Sequence, residues 1–267
     1  MNTQQLKKML EEMWIDYLAL NPDAQAIHQL IKKRNPHVVN DHIALRTFNL
    51  GKVDLKQISR PFINAGYHAR GEYSFPKKHL YAQHFEHNDP NLPKIFISQL
   101  LTENLDQSNQ ELIHNLIEQI PQEILTTKHF SYSGRHWNLT YQQYQQLLKQ
   151  SEYAAWLAAF GFRPNHFTIL INALHSHHRI ETLNQFLKQH GYALNSAGGE
   201  IKGSAEEYLE QSSTLANKVI LSFDDQEAEI PGCYYEFAKR YPLPEGGLYQ
   251  GFIAASADKI FESTDSR

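Results

Sequence analysis

The amino-acid sequence predicts an α+β fold: two tandem βαβββ-like modules form a curled sheet around a cleft, with additional helices at the N-terminus and between the modules. Three observations carry this. A strand, helix, Gly-Tyr pattern occurs twice, as NDHIALRTFN followed by a helix ending in INAGY and as PNHFTILINA followed by a helix ending in KQHGY. The spacing is nearly conserved, at 25 residues from His42 to Tyr67 and 26 from His166 to Tyr192. Before and between these units the apolar residues recur at helical intervals. A duplicated unit of this kind pairs with its copy, which brings the two first strands together across a shared cleft.

Residues 1–36 read as two short helices, with Leu6, Leu10, Met13, Trp14, Tyr17 and Leu18, then Ile27, Leu30 and Ile31, at helical spacing on either side of a capping NPD break. The first module spans 37–101. It has VVNDHIALRTF as a strand, VDLKQISRPFINAGY as a helix closed by Gly66, YSFPKKHLYAQHFEH alternating as in a hairpin, and KIFISQLL as a compact strand after the NDPNLP loop. Residues 102–160 form a helical connection, because the Tyr and Leu residues interleaved in YQQYQQLLKQSEYAAWLAAF give it a packing face. The second module, 161–267, reads as strand PNHFTILINAL, helix RIETLNQFLKQHGY, a Gly-rich turn SAGGEIKGS, a polar helix-like stretch AEEYLEQSS, strand KVILSFDD and strand GCYYEFAKRY. Together, residues 1–267 are read as a single compact domain.

Composition narrows the function. Hydrophobic content of 41%, charged content of 20% and a net charge of −4 are ordinary for a soluble protein and call for no nucleic-acid partner. The N-terminus MNTQQLKKMLEEMWIDYLAL lacks the order of a secretory signal, and no window approaches the roughly 20 apolar residues of a membrane span. A cytoplasmic protein with no membrane association is therefore expected; nothing in the sequence sets its oligomeric state. With Cys233 the only cysteine, a disulfide framework and a cysteine-cluster zinc site are both excluded. Any metal must be held by His, Asp or Glu.

Alternate residues of a strand share a face, so His42, Ala44 and Arg46 point one way while Ile43 and Leu45 pack the other side. A polar face lining a cleft and an apolar face making core account for the charges on this strand. A lone strand histidine is usually a satisfied core or surface residue, but matching places in two units make His42 and His166 candidate metal ligands. An anionic third ligand is expected, and Glu236, set among Tyr234, Tyr235, Phe237 and Ala238, is unfavourable to bury without a cation or a proton. The plainer reading pairs it with Lys239, Arg240 or a tyrosine hydroxyl. The corresponding strand of the first unit, KIFISQL, carries Gln99, a poor neutral ligand, which leaves one side of an ion to water or substrate. Two histidines and one carboxylate with open positions suit non-haem Fe(II) and oxygen chemistry, whereas a closed four-ligand site suits structural zinc. Arg46 is read as a bidentate clamp for a substrate carboxylate, the alternative being an ion pair with Asp41. Gln211, Ser212 and Ser213, with Tyr249 and Gln250, are read as pocket-lining candidates or, failing that, as turn caps. His175, His177 and His178 are most simply solvated.

DHIALRTF, NHFTILIN, GSAEEYLEQSSTLA, YYEFAKR and LYQGFIAASADKIFEST together resemble the 2-oxoadipate dioxygenase/decarboxylase family, whose fold is similar to the vicinal oxygen chelate superfamily; the resemblance runs from about residue 5 to the C-terminus. It implies Fe(II) at positions matching His42, His166 and Glu236, and substrate contact by Arg46. It also implies an oxidoreductase of lysine catabolism that converts 2-oxoadipate and dioxygen to 2-hydroxyglutarate and carbon dioxide without a separate 2-oxoglutarate cosubstrate. The lysine-degrading bacterial members are considerably longer chains. Two other functions stay open on the same residues: a glyoxalase-like lyase or isomerase using Zn(II), Ni(II) or Mn(II) as a Lewis acid, and a non-catalytic metabolite-binding module.

Overall fold

The computed structural model describes residues 3–264, so the first two and last three residues of the expected 1–267 domain lie outside the described residues. Helix α1 (Thr3–Leu20) buries Leu6, Met9, Met13 and Tyr17 along one stripe, and α2 (Pro22–Lys32) buries Ala24, Ile27 and Ile31. Chemistry separates them. The Asn21 side chain accepts a hydrogen bond from the Ala24 N–H, and Pro22 occupies the first turn of α2, where a missing N–H does no harm.

The first module follows as β1 (Asn40–Phe48), α3 (Leu55–Ile63), β2 (Tyr67–Phe75), β3 (Leu80–His87) and β4 (Lys94–Leu100). Asp54 caps α3 by accepting from the Gln57 N–H. The connection holds α4 (Gln107–Glu118), α5 (Gln122–Leu125), α6 (Tyr141–Gln150) and α7 (Glu152–Phe160). Helix α7 is buried from Tyr153 to Phe160, as a helix apolar on every side must be. The second module contains β5 (Pro164–Leu170), α8 (Ile180–Gln189), β6 (Lys202–Ser204), β7 (Leu209–Ser213), β8 (Lys218–Ser222), β9 (Glu227–Pro231) and β10 (Tyr234–Arg240), and α9 (Ala254–Ile260) comes after it.

Eight strands form one curled sheet in the order β2-β3-β4-β1-β5-β10-β7-β6. Read outward from the centre, each half runs first, fourth, third and second strand of its own βαβββ unit. The repeated Gly-Tyr also has a local cause: Gly66 and Gly191, at φ 100 and φ 86, end α3 and α8 in a left-handed conformation that costs glycine no Cβ clash. One cluster of buried apolar side chains runs through the N-terminal helices, the connection and both modules.

Two segments differ from the sequence expectation. AEEYLEQSS is a turn with Tyr208 at φ 62 followed by strand β7, which is paired on both sides by β6 and β10. Pairing in the interior of a sheet satisfies its backbone and overrides the helical preference of its Ala, Glu and Leu residues. KVILSFDD does not join the main sheet. Its strand β8 pairs with β9 in a separate two-stranded hairpin inserted between the third and fourth strands of the second module.

Candidate metal centre

Strands β1 and β5 lie antiparallel with His42 opposite Thr168 and Ala44 opposite His166. That register is symmetric, because exchanging the two modules exchanges one pair for the other. Strand β10 runs parallel to β5 with Glu236 opposite Thr168. Opposed residues and alternate residues share a face, so His42, His166 and Glu236 project to the same side of the sheet. All three are buried. His166 Nε2 lies 3.1 Å from one Glu236 carboxylate oxygen, His42 Nε2 lies 3.6 Å from the other, and ligand atoms of the three residues all fall within 4.8 Å of one another.

These groups fit a divalent ion. Ligands at about 2.1 Å from a shared centre stand about 3 Å apart when they subtend a right angle, close to the 3.1 and 3.6 Å that separate the two histidines from the Glu236 carboxylate. Each imidazole is turned by the residue before it. His42 Nδ1 hydrogen-bonds Asp41 Oδ1 at 2.8 Å, and His166 Nδ1 hydrogen-bonds Asn165 Oδ1 at 3.1 Å. An acceptor at Nδ1 places the proton there and leaves a lone pair on Nε2, the atom aimed at Glu236. The Thr168 hydroxyl, 3.1 Å from His42 Nε2, donates to that lone pair. Gln211 Nε2 donates to Glu236 Oε1 at 2.6 Å, while Glu236 Oε2 is buried with no hydrogen-bond partner.

The electrostatics ask for a positive charge at the same point. Burial raises the Glu236 carboxyl; any positive charge placed at His42 and His166, together with the hydrogen bond from Gln211, draws it below the ordinary carboxylate range. Burial also pushes the His166 imidazole down, more than Glu236 pushes it up. At neutral pH the imidazole therefore does not carry the charge that Glu236 requires; a divalent cation would supply it.

Behind His42 stands a buried ion pair. Arg240 grips Asp41 along one edge, Nε to Oδ2 at 2.6 Å and Nη2 to Oδ1 at 2.8 Å. Burial alone would raise the Asp41 carboxyl; the Arg240 charge and hydrogen bonds from Arg240 and His42 hold it well below the usual value. The Arg240 Nη1 also donates to the Tyr249 and Gly251 carbonyls, which ties down the segment leading to Phe252.

Arg46 shares the sheet face of His42, but its partner is not Asp41. Its Nη1 donates to Glu152 at 3.0 Å and its Nη2 to the Thr264 hydroxyl at 3.1 Å, over the rings of Tyr153 and Trp156. Its Nε is buried with no hydrogen-bond partner. Gln211 lines the small cavity over the centre, together with Phe96 and Phe252. Ser213, opposite Glu236 in the sheet, bonds the Ser263 hydroxyl, and Ser212 donates to Asn184. Tyr249 presents its carbonyl to Arg240, while its hydroxyl donates to the Phe252 carbonyl; Gln250 is exposed.

The register also corrects one equivalence. Glu236 lies opposite the residue two beyond His166, and the residue opposite Ala44, two beyond His42, is Phe96. Phe96, not Gln99, is thus the counterpart of Glu236, and the Gln99 side chain accepts from the Leu55 N–H at the start of α3. The orienting residues Asp41, Asn165 and Arg240 were missed at the sequence level. Their one local trace was an Asp or Asn directly before each histidine, in NDH and PNH.

Comparison with known proteins bears on this site. The family model described as 2-oxoadipate dioxygenase/decarboxylase matches residues 3–131 and 124–247. A chloroplastic 2-oxoadipate dioxygenase/decarboxylase from Arabidopsis thaliana is 34% identical over 97% of this chain and 77% of its own length. The structure of hydroxyglutarate synthase from Oryza sativa in complex with 2-oxoadipate superposes with a TM-score of 0.92 at 33% identity, covering 98% of this chain and 93% of the other. A protein from Shewanella frigidimarina described as a hydrolase has a TM-score of 0.89 at 51% identity, covering 93% of this chain and 98% of the other.

Proposed function

The chain belongs to the 2-oxoadipate dioxygenase/decarboxylase family, and from that premise we propose that it is a mononuclear Fe(II) enzyme converting 2-oxoadipate, or a closely related 2-oxo acid, and dioxygen into the 2-hydroxy acid one carbon shorter and carbon dioxide. The observation that carries this reading is the convergence of two Nε2 lone pairs and one unsatisfied carboxylate oxygen on a single buried point. His42, His166 and Glu236 would hold the ion. When bound, Fe(II) supplies the electrons that let dioxygen react with a closed-shell acid. The balance is complete, since the carboxyl next to the ketone leaves as carbon dioxide, one oxygen atom enters the new carboxylate and the other the new hydroxyl.

The protein's own groups have distinct tasks. Two neutral imidazoles and one carboxylate leave a divalent ion a net positive charge and open positions for a bidentate 2-oxo acid. Asp41 keeps His42 in its ligating tautomer, Asn165 does so for His166, and Gln211 fixes the rotation of Glu236. Phe96 and Phe252 keep bulk water from the reacting carbon. Arg46 is the carboxylate anchor. On the edge that Arg240 uses to grip Asp41, Arg46 has an unpartnered Nε and an Nη2 given only to a threonine hydroxyl. A substrate carboxylate there gains two hydrogen bonds between opposite charges in place of one from the guanidinium to a neutral hydroxyl.

The test is oxygen uptake by Fe(II)-loaded protein with 2-oxoadipate, with carbon dioxide and 2-hydroxyglutarate expected in equal amounts. His166→Ala abolishes uptake, and Arg46→Lys raises KM more than it lowers kcat. Folded, iron-loaded protein that consumes no oxygen with any small 2-oxo acid would overturn the assignment.

A further inference from the structure

The cavity against His42, His166 and Glu236 measures about 20 Å³, room for little more than one water-sized sphere. A 2-oxo acid cannot occupy it as it stands. A second cavity of about 180 Å³ opens to solvent and is lined by Lys77, Lys78 and His79, by Glu152 and Tyr153 at the start of α7, and by Glu262. Phe261 lines both cavities.

Phe261 stands at the head of the short 3-10 turn Phe261–Thr264, edge-on to Phe75 with ring centroids 5.3 Å apart. Arg46 links this turn to the outer cavity. Its guanidinium carbon lies 6.0 Å from the Phe261 ring, its Nη2 holds Thr264 at the other end of the same turn, and its Nη1 reaches Glu152 in the outer cavity. A carboxylate that takes the Nε and Nη2 edge of Arg46 must displace the Thr264 hydroxyl and so loosens the turn carrying Phe261.

Resting on the 2-oxo acid assignment above, we infer that Phe261 is the specificity-determining partition between a solvent-facing vestibule and the metal centre. The ligands it admits are dicarboxylic 2-oxo acids. They arrive past Lys77 and Lys78, and the room left by Phe261 sets the chain length that fits. Charge in the vestibule favours a dianion: Glu152 is already neutralised by Arg46, and Glu262 by Lys259 at 3.0 Å with Lys78 at 3.9 Å, so Lys77 adds to a positive balance.

The experiment measures binding rather than turnover, on anaerobic Fe(II)-loaded protein titrated calorimetrically with 2-oxoadipate, the seven-carbon 2-oxopimelate and the monocarboxylate 2-oxobutyrate. Phe261→Ala is expected to raise affinity for 2-oxopimelate relative to 2-oxoadipate about tenfold, and Phe261→Leu, which keeps most of the packing, by a smaller factor in the same direction. Stopped-flow association of 2-oxoadipate to the Lys77→Ala/Lys78→Ala protein should slow severalfold and lose part of its salt dependence, with dissociation little changed. If wild-type protein discriminates among the acids and both Phe261 variants, folded and metal-loaded, keep its chain-length ratio within threefold, the inference is overturned alone. Wild-type protein that binds none of the three overturns the substrate assignment and this inference with it.

Discussion

The two halves of the sheet are built on one register and finished with different chemistry. Opposite the residue two beyond its histidine, the first half places Phe96 and the second places Glu236. Directly before its histidine, the first half has an aspartate locked to a buried arginine, while the second has a neutral asparagine. The halves thus divide the work: the second brings the only carboxylate of the candidate ligand set, and the first brings an apolar wall and the more strongly polarised imidazole. A second carboxylate in place of Phe96 would take up an open position and cancel the ion's charge. On the function proposed above, this asymmetry would leave a face free for an anionic chelating acid.

The strongest way to break this comparison is to remove the carboxylate. Glu236→Ala is expected to lower Fe(II) affinity by more than roughly 100-fold, beyond the usual effect of an outer partner, as measured by metal content after equilibrium dialysis. Iron retained at wild-type stoichiometry and affinity would show that the two histidines are not completed by Glu236.

The next effect separates the two orienting residues. Asp41→Asn preserves shape but removes the charge, and metal affinity should fall roughly 10- to 100-fold; Asn165→Ala should lower it less than about tenfold. The same Asp41→Asn change strips a buried Arg240 of its counter-charge, so urea unfolding should show a loss of about 3–5 kcal/mol. Equal metal affinities in the two variants would remove the distinction between the halves.

The smallest effect lies behind Glu236. Lys202 sits in β6, whose neighbour β7 carries Gln211, and burial pushes its ammonium down from 10.5 to about 8. The unfolded chain holds this proton more tightly than the folded one, so Lys202 opposes folding below about pH 8, and stability recovers as pH rises from there toward the ordinary lysine range. Lys202→Met should lack this recovery, read as a Tm difference from wild type that narrows between pH 7 and 10. A constant difference would mean that Lys202 ionises in the folded protein as it does in the unfolded chain.

Local pattern carried much of the architecture. Helices α1, α2, α4, α6, α7 and α8, and the central strands β1, β5 and β10, follow from periodicity and caps, which depend on neighbours a few residues away. Two features did not: AEEYLEQSS takes its strand state from β6 and β10, which pair with it, and KVILSFDD, legible as a strand, pairs with β9 outside the main sheet. Among site residues, His42, His166 and Glu236 were legible as a polar exception on apolar strands; Asp41 to Arg240, a pair 199 residues apart, left no mark in spacing.

From its sequence alone, then, this chain settles which residues share a strand face, where the two modules repeat, and which family it belongs to; these follow from short-range alternation and from motifs read in line. Only the folded chain decides that Phe96 answers Glu236, that Arg240 rather than Arg46 holds Asp41, and that Phe261 lines two cavities. Those facts depend on strand register and on contacts between distant segments, which no local pattern encodes because each is fixed by the packing of the whole sheet.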